Sequence, residues 1–76
     1  MITPQYGQFN GDPCRWTFQE AWVFVRLFGR PGMWRRWEIS DILLSCRLIS
    51  KEQYLELYPD LPPLPADAFE EFNGES

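Results

Sequence analysis

Thr17-Phe18-Gln19-Glu20-Ala21-Trp22-Val23-Phe24-Val25-Arg26-Leu27-Phe28-Gly29 is the stretch on which the fold turns. Thr17 and Glu20 have the S/T-x-x-E spacing of a capping box, in which the N-cap hydroxyl and the glutamate satisfy free backbone amides, and Gly29 is a helix stop. The pattern predicts a helix over 17–29. On a wheel of about 100° per residue, Phe18, Ala21, Trp22, Phe24, Val25 and Phe28 fill one broad arc, with Val23 and Leu27 outside it. Trp22-Val23-Phe24-Val25 is also rich in strand formers, so a strand is the competing reading, and the cap and the glycine stop decide for helix.

On the N-terminal side, residues 1–16 hold Pro4, Gly7, Asn10-Gly11 and Asp12-Pro13. That density of turn formers predicts an irregular arm pinned by Tyr6, Phe9 and Trp16. On the C-terminal side, Arg30-Pro31-Gly32 reads as a turn. A second helix is expected from about Trp34 or Trp37, with Ile39, Ile42, Leu43, Cys46 and Ile49 on one face and Trp34, Trp37, Leu44 and Leu48 as a separate stripe. Ser50-Lys51-Glu52-Gln53 is another capping box, with Ile49 and Tyr54 placed as a hydrophobic staple, and predicts a third helix over about 51–58. Pro59-Asp60-Leu61-Pro62-Pro63-Leu64-Pro65 must leave the helix and run extended. The expectation is therefore an all-α fold: an irregular arm over 1–16, a helical core of three short helices over 17–58, and a Pro-rich then acidic segment over 59–76.

With 76 residues the chain has room for one domain with a thin core. Four Trp, six Phe and three Tyr compensate, because each ring buries a large apolar area. The longest apolar run, Ala21 to Val25, is far short of the roughly 18 residues that a membrane span needs, and no basic leader opens the sequence. A cytoplasmic location with no membrane contact is therefore expected, with Cys14 and Cys46 as free thiols and Cys46 in the core. Charge is divided along the chain. Residues 1–51 carry all seven bases against four acids, whereas residues 52–76 carry seven acids and no base.

Catalytic signatures are missing. Without histidine the commonest general base and metal ligand is gone, and two cysteines with 31 residues between them make no zinc pattern. No phosphate-cradling glycine loop or nucleophile elbow occurs. The adjacent acids Glu70-Glu71 read as a solvated pair. No cofactor, no metal and no enzymatic activity are expected.

Binding is the remaining class. Arg30, Trp34, Arg35, Arg36 and Trp37 gather cations and aromatic rings around a turn, able to meet an acidic protein surface or to grip phosphates while stacking on bases. The plainer reading docks both tryptophans in the core and leaves the arginines at its rim. Phe69, Glu70, Glu71 and Phe72 alternate acids with rings and can imitate nucleic acid before a basic groove. Pro62-Pro63-Leu64-Pro65 has the form of a ligand for proline-reading domains, but Leu61 and Leu64 are better read as strapping the segment across the protein's own aromatics. Surplus apolar residues on the first two helices point to an interface or a homodimer.

In size, aromatic density and lack of catalytic motifs the chain resembles small phage-encoded accessory proteins, including inhibitors of bacterial defence systems such as anti-CRISPR proteins. The resemblance implies a non-enzymatic inhibitor or adaptor that occludes a larger protein or nucleoprotein complex in a host cytoplasm. The competing readings are a helix-turn-helix nucleic-acid binder over 39–57 and a small self-assembling virion or tail component. Glu52 and Glu56 beside a single Lys51 weigh against the first of these, because a reading helix of that charge repels phosphate.

Overall fold

The computed structural model describes residues 3–26, 28 and 30–69. It shows a five-stranded antiparallel sheet with two short helices, which overturns the all-α, helical expectation. The elements are β1 (Gln5–Phe9), β2 (Asp12–Trp16), β3 (Ala21–Val25), β4 (Met33–Trp37), α1 (Ile39–Ser45), β5 (Arg47–Leu48) and α2 (Lys51–Leu57). Four strands form a meander, and β5 returns to the far side of β1, giving the order β4-β3-β2-β1-β5.

The arm expected over 1–16 is a hairpin. Asn10 and Gly11 both adopt positive φ, 53° and 82°, between the paired residues Phe9 and Asp12. Two central residues of that kind make the tight turn whose twist matches the strands it joins, and Asn-Gly is the pair that adopts it most readily. Here the turn formers shape a connection and do not break structure.

The helix expected over 17–29 is a turn followed by β3. The Thr17 amide donates to the Glu20 carbonyl at 2.8 Å, and the Thr17 hydroxyl accepts from the Gln19 amide at 3.2 Å. The same hydroxyl that caps a helix can close a turn, and here it joins β2 to β3 across the Trp16–Ala21 pair. Ala21, Trp22, Val23 and Phe24 are all buried, on alternate faces of the sheet. An unbroken apolar run of this length is what a strand covered on both sides requires.

One covered side faces α1. Phe9, Cys14, Trp16, Ala21, Val23 and Ile42 form the main core, with Val25, Trp37, Ile39 and Cys46 at its margin. On the opposite face, Trp22 packs with Ala68, Phe69, Trp34 and Leu64, and Ile49, Tyr54 and Tyr58 pack with Tyr6 and Leu61. Residues 61–65 carry neither helix nor strand, and Leu61 and Leu64 do strap this segment across the aromatics. Spacing of three puts the two leucines on one side of an extended proline-rich chain, while Pro62 and Pro63 stay exposed.

The second expected helix resolves into β4, α1 and β5, because Trp34 and Trp37 serve opposite faces of the sheet and Cys46 is extended at φ −81°. The third is α2. The Ser50 side chain accepts from the Gln53 amide at 3.1 Å, and Ile49 and Tyr54 share one buried cluster as the staple pattern requires. Gly7 marks a close approach. A side chain there would lie 2.6 Å from both the Arg47 carbonyl and the Trp16 ring, so glycine lets β5 lie against β1. Among the described residues no helix is long and apolar enough to cross a membrane.

Candidate partner-binding edge

β4 is an outer strand: it pairs with β3 from Ala21–Trp37 to Val25–Met33 and with no other strand among the described residues. Its sequence Met33-Trp34-Arg35-Arg36-Trp37 distributes two jobs by strand alternation. Trp37 turns to the α1 side, where its ring sits 5.5 Å from that of Phe9. Trp34 turns to the strap side, 5.3 Å from Phe24, and its indole N–H donates to the Pro62 carbonyl at 3.0 Å. Both tryptophans thus pack on the scaffold, each remaining partly exposed.

The arginines remain at the rim. Arg26, Arg30, Arg35 and Arg36 are all exposed around the β3–β4 hairpin. Arg36 reaches Glu20 at 3.3 Å while its own side chain stays 66% exposed. Arg26, Arg30 and Arg35 form no salt bridge with any described residue. Sequence reasoning selects Arg30, Arg35 and Arg36 and misses Arg26, whose only signal is its place at the end of an apolar run. An open strand edge flanked by guanidinium groups suits carboxylates, since each planar fork can take a carboxylate through two parallel N–H bonds.

Glu20 organises the neighbourhood. Its carboxylate accepts from the Trp22 indole N–H, from Arg36 and, at 2.8 Å, from the Phe69 amide. The side chain is only 11% exposed, and these donors replace the water it has lost. A hollow of about 530 Å³ lined by Gln19, Glu20, Arg36, Glu38 and Ser40 opens beside the end of β4, continuous with the arginine rim.

Phe69, expected to face a partner, is a buried anchor of the chain itself. It is 4% exposed against Trp22 and Ala68 and takes φ 57°, a backbone conformation that side chains rarely adopt. Glu70, Glu71 and Phe72, the rest of that expected site, lie outside the described residues. Of the apolar residues expected to be surplus, Val23 is buried in the main core, whereas Leu43, Leu44 and Leu48 are all more than half exposed. Strand β5 stands between α1 and α2, so 39–57 does not form a helix-turn-helix. Among the described residues no three His, Cys, Asp or Glu side chains gather where a metal ion could sit. Comparison with known proteins finds no family model, no curated protein and no solved structure that matches this chain.

Proposed function

We propose that this chain is a non-enzymatic protein-binding protein, an inhibitor or adaptor of a larger complex, and that it takes hold of an acidic partner along β4. The observation that carries the reading is the open β4 edge with Arg30 and Arg35 beside it, exposed and without a carboxylate among the described residues. An extended partner segment can add to such an edge through main-chain hydrogen bonds while its acidic side chains meet the arginines. Charge of this kind sets the rate of encounter and the choice of partner. Nucleic acid is the second reading: Phe28 in the β3–β4 connection is fully exposed and can stack on a base, but both tryptophans of the cluster are packed against the scaffold.

Affinity capture from a lysate of the encoding organism, with and without nuclease, tests the reading. The full chain is compared with an Arg30→Glu, Arg35→Glu variant, which spares the Arg36–Glu20 pair. The expected result is one dominant protein retained after nuclease and held at least about tenfold more weakly by the variant, at unchanged thermal stability. Equal retention by both proteins would move the interface off this edge. Loss of all recovery with nuclease would favour nucleic acid.

A further inference from the structure

Outside the β4 edge, the side chains of the two cysteines meet. Cys14 Sγ and Cys46 Sγ are 3.0 Å apart, although 32 positions separate them in sequence. Strand alternation points Cys14 from β2 towards α1, where it is fully buried. Cys46 arrives from the other side: it comes after the last turn of α1, where its amide donates to the Ile42 carbonyl at 2.7 Å, and it directly precedes β5. Both belong to the main core. A disulfide bond is about 2.05 Å long, so roughly 1 Å of approach separates the present contact from a covalent link.

We propose that Cys14 and Cys46 are the site of an intramolecular disulfide, formed by exchange with a low-molecular-weight disulfide. Cys46 is the less buried thiol and is the one an outside reagent reaches. Its thiolate attacks one sulfur of R–S–S–R, forming a mixed disulfide and releasing R–S⁻, which takes up the proton Cys46 gave. The Cys14 thiolate then attacks Cys46 Sγ and expels the second R–S⁻, protonated in its turn. Each cysteine loses one hydrogen, the pair is oxidised by two electrons, and the external disulfide is reduced to two thiols. Burial raises both thiols above their ordinary range, most strongly Cys14, so the exchange is slow at neutral pH and quickens in mild alkali.

The link would tie β2 to the junction of α1 and β5. The pairing there is short: β5 meets β1 through Gly7–Leu48 and Gln8–Arg47, and just beyond it the Ile49 amide donates to the Tyr6 carbonyl at 3.0 Å. Closing the chain between 14 and 46 also removes freedom from the unfolded state.

The test uses the full chain, incubated with oxidised glutathione at about pH 8.5, near the ordinary thiol pKa. The protein is then acid-quenched, denatured, alkylated and weighed, and digested to locate any cross-link. The expected product is a monomer that has lost two hydrogens, takes no alkylating agent, carries no glutathione and yields a peptide joining 14 to 46. Its melting temperature should exceed that of the reduced protein by more than about 10 °C. Cys46→Ser, with one thiol left, should show neither the link nor the shift. Recovery of two alkylated cysteines, a stable glutathione adduct on Cys46, or cross-linked dimers in place of the internal bond would overturn the proposal.

Discussion

Glu20 shows how one side chain holds three parts of the molecule together. Its carboxylate joins Trp22 of β3, Arg36 of β4 and the Phe69 amide of the last turn, and only the pair with Arg36 lies in water. Glu20→Gln keeps the shape but removes the charge that strengthens these bonds, and one of its two polar atoms becomes a donor facing donors. The expected cost is about 1–3 kcal/mol in urea unfolding, with the Trp22 and Phe69 region loosened first. An unchanged midpoint would mean that the carboxylate does not hold this region. None of this is legible in the sequence, where Glu20 reads as part of a helix cap; its actual partners are Trp22 two residues on and Arg36 and Phe69 far along the chain.

Two elements with the same local signature go different ways. Ser50-x-x-Gln53 caps a helix, and Thr17-x-x-Glu20 closes a strand turn. The residues within and beyond each motif decide between them: Lys51, Glu52, Leu55 and Glu56 favour helix, whereas Trp22, Val23, Phe24 and Val25 favour strand and find cover on both sides. That cover comes from α1 and the strap, and no local window contains it. The candidate edge is legible in part. Arg30, Arg35 and Arg36 stand out by charge alone, but the fate of Trp34 depends on Pro62 and that of Trp37 on Phe9, both distant in sequence. Helix α2 carries a further consequence of burial. Packing against Tyr6 and Tyr58 pushes Tyr54 from 10.0 up to about 12, with the charge of Arg15 opposing the rise. Cys14 and Cys46 are raised from 9.0 in the same sense. The native state therefore keeps protons that the unfolded chain gives up, so this stabilisation is complete below about pH 9 and is lost as pH climbs towards 12. Urea midpoints of the reduced protein should be level up to about pH 9 and fall above it; a midpoint that rises with alkali would contradict the packing of these groups.

At the scale of the whole molecule, a small chain gains two hydrophobic layers from one sheet by covering both of its faces. Helix α1 seals one, and α2 with the proline strap seals the other, which is how so many aromatic residues find burial in so short a sequence. Among the described residues no strand pairs with the outer side of β4, where the arginines lie exposed, and the proposed function rests on that edge. Edge strands invite pairing, and exposed like charges such as those of Arg35 and Arg36 disfavour the pairing of two identical edges. Hydrogen exchange of the full chain, resolved amide by amide, tests this most directly. We predict the slowest exchange in β2 and β3 and an alternating pattern along Met33–Trp37, with amides facing β3 protected and those facing outwards exchanging fast. Unbroken protection through 17–29, as in a helix, or uniform protection along β4 would contradict the account.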